Sequence, residues 1–363
     1  MRILQLTGML STHYGAKERY FVEFARVCHQ RGVQCVLQFE APPASRIYLE
    51  DLKKAGAGIV IFDTGAGLPK GILKIFLLIR SLRPDIIETH FVSRPIRILV
   101  PFMARALGTG KCVAFIRNMP RSRKLFFRQC FNSYDLVFTI SMAVADFVTQ
   151  MGISKEKIHP HYWGLFGKRE KSLEYRKRFR EEFGIPNDAA VIGIIAFDTP
   201  FKGLDILLDA FSRVSKIFHE AHLLVTGVDS DKSELPGLAH RLGIADKTHW
   251  AGIRDEGWKL LNAVDIYTQP SVDSEGLPNA VVEAMALKLP AVGTRVSGIP
   301  EAIIDGETGI LVEPGDAESL AAAFETLLKD PSLGKSLGEA GYKRYLEIFD
   351  GMVSIEKLIG YYF

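Results

Sequence analysis

The sequence is poor in the features that mark small stapled, membrane-spanning or disordered proteins. It has four cysteines in 363 residues, Cys28, Cys35, Cys112 and Cys130, all in the N-terminal half and without CxxC or metal spacing. That argues against a disulfide framework or a zinc module and suits free thiols in a reducing cytoplasm. No apolar run approaches the roughly 18–20 residues that cross a bilayer. The chain opens directly on a strand-like segment, Arg2-Ile3-Leu4-Gln5-Leu6-Thr7, so no signal peptide is expected. Neither sign of charge dominates: the formal net charge is +3, with 47% hydrophobic and 24% charged residues, an ordinary folded composition. A chain of this length suits two domains better than one core.

The near-neutral total hides an asymmetry. Residues 1–164 carry 23 Lys/Arg against 11 Asp/Glu, whereas the remainder carries 22 against 31. The first half therefore has a basic surface that something anionic could meet.

Short β-rich runs alternate with helix-length amphipathic segments. Strands are expected at 2–7, 34–39, 58–62, 85–90, 111–117 and 136–141, and again at 191–197, 222–227, 248–252, 266–270, 290–294 and 309–313. Each run is apolar without strict alternation, as in parallel strands covered on both faces. Between them lie helices such as 15–31, where Phe21, Phe24, Ala25 and Cys28 share a stripe. Two successive βαβ series imply an α/β protein of two doubly wound, Rossmann-like domains. The join falls near 164–186, in a charged, helix-prone segment (168–183) closed by Gly184-Ile185-Pro186. We divide the chain into domains 1–164 and 165–347, with a terminal helix, about 348–363, expected to pack back on the first.

The chemically informative segment is Ser274-Glu275-Gly276-Leu277-Pro278-Asn279-Ala280-Val281-Val282-Glu283-Ala284-Met285-Ala286, after a strand ending Gln269-Pro270-Ser271. Gly276 permits close backbone approach, while Pro278 and Asn279 are helix-start residues. Glu283 then lies about one turn into a helix whose unpaired N–H groups and dipole make a phosphate site. Carboxylates placed on the loop and the first turn suit recognition of sugar hydroxyls. Lys202-Gly203, opening the helix 203–217, supplies a second phosphate contact. Taken singly, each feature is also what an ordinary capped surface loop would show.

In order and spacing these segments resemble the retaining, GT-B-fold glycosyltransferases of family 4 (glycosyl transferases group 1), the large family containing sucrose synthases and bacterial mannosyl- and N-acetylhexosaminyl-transferases. The residues that carry the resemblance begin with Gly15…Glu18-Arg19-Tyr20, Arg83-Pro84-Asp85-Ile86-Ile87 and Asp135…Ser141. They continue through Lys202-Gly203…Leu207-Leu208-Asp209-Ala210-Phe211, Ala263…Asp265, Glu275-x7-Glu283, Gly298-Ile299-Pro300-Glu301 and Asp305-Gly306. The resemblance implies that two domains face each other across a cleft that holds a nucleotide diphosphate sugar, UDP-linked in many relatives. It implies that Glu283 binds ribose hydroxyls and Glu275 the donor sugar. Lys202 and the amides of Gly276 and Leu277 would bind the diphosphate, and Gly15 would let the backbone approach its phosphates. No metal and no cofactor are implied. The leaving diphosphate would be stabilised by preorganised charge, unlike the paired carboxylates of retaining glycosidases.

Three positions depart from the family pattern. Phe197 and Ala196 stand where an arginine usually accompanies the phosphate lysine. Arg117, in Phe115-Ile116-Arg117-Asn118, stands at or beside a position where many relatives carry histidine, and Ala16 replaces the second glycine of a Gly-Gly pair. Arg117 is therefore a candidate replacement for the missing cation. Trp163-Gly164 occupies the hinge, where asparagine-glycine is common, and His159-x-His161, lacking a third ligand, reads as structural.

The basic half contains segments mixing cations with apolar side chains, 70–83, 94–105 and 121–131. These suit an anionic membrane interface, and no nucleic-acid-binding module accompanies them. The sequence thus points to a cytoplasmic, peripherally bound transferase. It would move a hexose or N-acetylhexosamine to a glycan or lipid-linked acceptor of an envelope polysaccharide. A nucleotide-sugar epimerase on the same architecture and a weakened donor-binding subunit are the competing readings.

Overall fold

The structure, a computed structural model, describes residues 1–11, 14–64, 68–117, 124–254, 256–273 and 275–362. Asn118 and Ser274, named above, and residues 121–123 of the 121–131 segment lie outside the described residues. The chain forms two compact units, Met1–Gly167 with Gly351–Phe363, and Lys168–Asp350.

In the first unit seven strands form one parallel sheet: β1 (Arg2–Leu6), β2 (Gln34–Phe39), β3 (Gly58–Ile61), β4 (Ile86–Thr89), β5 (Lys111–Ile116), β6 (Leu136–Thr139) and β7 (Ile158–Pro160). Their order is β3-β2-β1-β4-β5-β6-β7. The helices between them are α1 (Ala16–Gln30), α2 (Arg46–Lys54), α3 (Leu68–Leu82), α4 (Arg94–Ala106), α5 (Lys124–Asn132) and α6 (Met142–Gln150). The α1 stripe of Phe21, Phe24, Ala25 and Cys28 is buried with Ile3, Leu37 and Phe39. The apolar, non-alternating strand runs arise because helices cover both faces of the sheet.

The second unit repeats the plan with β8 (Val191–Ile195), β9 (His222–Thr226), β10 (Thr248–Trp250), β11 (Ile266–Gln269), β12 (Ala291–Thr294) and β13 (Ile310–Val312). The order is β10-β9-β8-β11-β12-β13, again parallel throughout. Helices α7 (Leu173–Glu182), α8 (Leu204–Val214), α9 (Leu235–Arg241), α10 (Asn279–Ala286), α11 (Ile299–Ala302), α12 (Ala317–Lys329) and α13 (Pro331–Arg344) accompany the strands. Leu204, Leu207, Leu208 and Phe211 of α8 pack with Ile192, Ile194 and Phe324 in its core. Each sheet thus has the Rossmann order, reversing direction between β1 and β4 and between β8 and β11. Ligands of such sheets bind outside the carboxyl ends of the strands at that reversal.

The aspartates of three motifs serve the sheets. Each precedes a strand and clamps the start of its neighbour. Asp85 accepts from the Arg2 amide at 2.7 Å, Asp135 from Cys112 at 2.7 Å and Asp265 from Val191 at 2.9 Å. Each aspartate's own N–H returns a bond to the carbonyl of the residue it clamps. Asp265 also meets Arg176 and the buried guanidinium of Arg180. Short polar side chains at strand starts are the natural partners of otherwise unpaired sheet-end groups.

The chain ends in α14 (Gly351–Gly360), whose Ile355, Leu358 and Ile359 are buried in the first unit's core. The Gly351 amide donates to the Leu165 carbonyl, and Arg31 pairs with Glu356. Ser354 Oγ donates to the Tyr162 carbonyl at 2.5 Å and lies 3.2 Å from His161 Nε2. His161 is thus an internal partner of the tail, and burial pushes its pKa down to about 3.

Candidate active site

The loop after β8 ends in a short 3₁₀ turn, Pro200–Lys202, and Gly203 then starts α8. Gly203 has φ +64°, and a Cβ there would lie 2.1 Å from the Pro270 carbonyl oxygen. No other residue fits without moving that backbone. The close approach brings two loops together, reinforced by the Val272 amide donating to the Phe201 carbonyl at 2.8 Å. It thereby sets Lys202 against the loop that carries Glu275.

Lys202 Nζ pairs with Glu275 Oε1. A polar chain behind them is aimed the same way. Tyr267 hydroxyl donates to Gln269 Oε1 at 2.7 Å; Gln269 Nε2 donates to Ser271 Oγ at 2.9 Å and to Glu275 Oε1 at 3.3 Å. Ser271 Oγ then donates to the same Oε1 at 2.8 Å. Glu275 is 6% exposed, and Gln269, Ser271 and Tyr267 are fully buried. Burial, then Glu275 and Glu283, hold the Tyr267 phenol well above its ordinary pKa, so it stays a donor. The donors of Lys202, Gln269 and Ser271 converge on one carboxylate oxygen, with Tyr267 orienting Gln269, which fixes the group before any substrate arrives. Oε2 takes none of these bonds.

Gly276 and Leu277 are half-buried, Pro278 is the buried N-cap of α10 and Asn279 is its exposed first residue. The unpaired N–H groups of this helix start therefore lie beside Glu275. Glu283, the fifth residue of α10, is nearly enclosed. Burial, only partly offset by Arg169, pushes its carboxyl pKa up to about 7.

Arg169 was not singled out from the sequence. Its Nη2 lies 3.8 Å from Glu283 Oε1, with side-chain exposures of 7% and 17%, and its guanidinium sits over the Trp258 ring at 4.4 Å. It belongs to a run expected to be helical from 168, whereas α7 begins only at Leu173. Nothing in that run distinguishes one inward arginine from its outward neighbours; only the fold does. At the departing positions, Ala196 is buried in the core and Phe197 is 65% exposed.

Gly15 and Arg117 belong to the first unit. Gly15 is the N-cap of α1, with extended backbone, and its N–H donates to the buried Glu18 at 3.0 Å. Arg117 follows β5, at the carboxyl edge of the sheet. Its Nη2 lies 2.9 Å from His90 Nδ1, and its guanidinium rests over the Trp163 ring, with Tyr20 and Phe115 also near. Burial draws its pKa down to about 9. Trp163 packs edge-on against Tyr20, 4.6 Å between ring centroids, so this aromatic of the first unit lines Arg117's surroundings.

The fold class is that of the GT-B glycosyltransferases. The structure superposes on that of HepE from Anabaena, solved in complex with UDP, with a TM-score of 0.83 over 99% of both chains at 20% identity. The pattern of the family described as glycosyl transferases group 1 matches residues 175–344. The lipopolysaccharide core biosynthesis glycosyltransferase LpsE of Rhizobium meliloti is 32% identical over 92% of this chain and 93% of its own. A GDP-mannose-dependent alpha-(1-6)-phosphatidylinositol monomannoside mannosyltransferase of Mycolicibacterium smegmatis is 30% identical over 81% of each chain. The chain belongs to the glycosyl transferases group 1 family.

Proposed function

We propose that this glycosyltransferase moves a hexose or N-acetylhexosamine, with retention, from a nucleotide diphosphate sugar to a glycan or lipid-linked acceptor of an envelope polysaccharide. The observation that carries the reading is the preoriented Glu275–Lys202 pair beside the start of α10, with Glu283 one turn further on. Glu275 Oε2 takes a donor-sugar hydroxyl and Glu283 the ribose hydroxyls. Lys202 and the amides of Gly276 and Leu277 hold the diphosphate. Gly15 lets the first unit's backbone approach the donor phosphates. Arg117 supplies the cation that Ala196 and Phe197 do not. The departing diphosphate is stabilised by these charges and helps take the acceptor proton, so anomeric configuration is kept without a covalent glycosyl-enzyme. The mycobacterial relative is named for an α linkage made from GDP-mannose, itself an α-glycosyl phosphate, which supports retention. HepE has been solved with UDP-glucose, which supports a nucleotide sugar as donor. No metal takes part in this scheme, so EDTA should leave turnover unchanged.

The first unit supplies the acceptor side at an anionic membrane surface, from the cytoplasmic face. Leu73 and Leu77 of α3 are 56% and 49% exposed among the exposed Lys70, Lys74 and Arg80, and Phe102 of α4 is 55% exposed. Apolar side chains ringed by cations suit that interface. Phe127 and Phe131 of the 121–131 segment are core residues instead. No helix among the described residues is long and apolar enough to cross a membrane. Salt-sensitive flotation with phosphatidylglycerol vesicles tests this part; failure to float at low salt refutes it.

The reaction is tested with a panel of UDP- and GDP-sugars, screened by thermal shift and then by product analysis. Release of free nucleotide with transfer to an added saccharide supports the proposal. An altered sugar on an intact nucleotide would make the protein an epimerase. Binding with neither outcome, in the presence of acceptor, would make it a donor-binding subunit.

A further inference from the structure

The first unit buries an acid, an imidazole and a guanidinium in sequence. Glu88 of β4 is fully buried and accepts three bonds. Gln5 Nε2 and His90 Nε2 each lie 2.7 Å from Oε2, and the Tyr362 hydroxyl donates to Oε1 at 2.8 Å. His90, also fully buried, has its other nitrogen 2.9 Å from Arg117 Nη2. An arginine can only donate, so Nδ1 is the acceptor and the ring proton sits on Nε2, directed at Glu88. Burial pushes the His90 pKa down to about 4, which keeps the ring neutral at physiological pH. Phe115 stacks on the ring at 4.3 Å and Phe21 closes its edge at 5.2 Å. Both protonation state and orientation of His90 are thereby set, and with them the direction in which Arg117 is held.

The geometry points to Glu88, His90 and Tyr362 as positioning residues for Arg117 in sugar transfer, with the last turn of the chain completing the relay. Arg117 Nη2 is committed to the relay. Arg117 Nε is buried with no hydrogen-bond partner among the described residues. The guanidinium is anchored through Nη2, and because the residue is half-buried rather than sealed, donor capacity for a phosphate oxygen lies on its accessible N–H groups and not on the enclosed Nε. The arrangement resembles the carboxylate behind an imidazole in hydrolytic sites, here orienting a cation in place of a nucleophile. Tyr362 is remote in sequence from every motif residue and reaches Glu88 only because α14 returns to the first unit's core.

This inference rests on the proposed role of Arg117, and the test separates the two. Arg117→Ala, Tyr362→Phe, His90→Phe and His90→Gln, with Tyr362→Phe and His90→Phe also combined with Arg117→Ala, are assayed for nucleotide release from the donor sugar found in the panel. Tryptophan emission is recorded in parallel, since Arg117 lies on Trp163. Arg117→Ala is expected to lower kcat about a hundredfold. Tyr362→Phe, which removes one hydroxyl, should lower kcat severalfold at unchanged donor KM. His90→Phe should lower it more, and His90→Gln, which restores a donor and an acceptor, should recover part of the loss. Tyr362→Phe and His90→Phe should move the tryptophan emission in the same direction as Arg117→Ala. Neither should cause further loss or shift when Arg117 is already alanine. Equal losses in the two backgrounds, with Arg117→Ala itself impaired, overturn the relay and leave Arg117's role standing. Unchanged turnover in Arg117→Ala overturns both. Where His90→Phe fails to fold, Tyr362→Phe decides the same question.

Discussion

In the first unit a buried glutamate, Glu88, is separated from the cation Arg117 by a neutral histidine and surrounded by aromatic rings. In the second, Glu275 meets Lys202 directly and is backed by Tyr267, Gln269 and Ser271. Both acids lie on or just after the strand that follows the sheet's reversal, β4 in one unit and β11 in the other. The shared strand order decides where charge collects, at the carboxyl edge beside the reversal. The side chains decide what the charge can do. In the proposed scheme, the direct pair, whose second carboxylate oxygen takes no bond among the described residues, receives hydroxyls and phosphates. An acid sealed by three donors, Gln5, His90 and Tyr362, is built to hold something else in place.

The comparison breaks most readily at the acids themselves. Glu275→Gln should lower kcat by about 10²–10³-fold, whereas Glu88→Gln should cost about tenfold, measured as nucleotide release. Reversed magnitudes would mean that the roles of the two units have been exchanged. Next comes the backbone that joins Lys202 to the glutamate loop. Gly203→Ala places a Cβ against the Pro270 carbonyl at positive φ and should destabilise the fold by about 2–4 kcal/mol. Loss of donor binding should accompany the drop in urea midpoint; full stability would show that the two loops are not locked together.

The aspartate clamps compare the units directly. Asp265→Ala strands the buried Arg180 as well as an amide and should cost about 2–3 kcal/mol. Asp135→Ala removes only an amide's partner and should cost about 1 kcal/mol. Equal losses in chemical denaturation would show that Arg180 finds other compensation, its five hydrogen bonds to the carbonyls of Ala263, Pro186, Asn187 and Ala189 being the candidates. The smallest effect concerns pH. The Glu283 carboxyl, raised to about 7, is protonated below that pH and ionised above it. If Glu283 takes the ribose hydroxyls as proposed, its ionised form binds them best, so donor affinity should fall as pH drops from 8 to 6, by at most about tenfold per unit. Titration calorimetry with UDP or GDP measures it, and Glu283→Gln should abolish the trend.

Much of this architecture is legible in the sequence. The strand runs appear within a residue or two of their expected places because parallel strands covered on both faces leave a continuous apolar signature. One short edge strand, β7, is not among the expected runs, since three residues carry too little pattern. The loops that carry Lys202 and Glu275 are legible because glycine and proline mark tight turns at strand ends, while the two residues themselves stand out through the family resemblance. The charged run 168–183 reads as one helix, but its first five residues are not helical and one of them turns inward to Glu283. Periodicity describes a surface stripe and is silent about a single side chain that leaves it.

What the sequence determined by itself is the repeated α/β plan and the identity of the residues at the loop ends, both local consequences of hydrophobic spacing and turn chemistry. The tertiary structure alone decided which distant groups meet: Lys202 with Glu275, Arg169 with Glu283, and Tyr362 with Glu88 across 274 residues. Those pairings arise because buried charge is stable only where a partner is brought within hydrogen-bond or ionic reach. That reach is a property of the packed sheet and its helices, not of spacing along the chain.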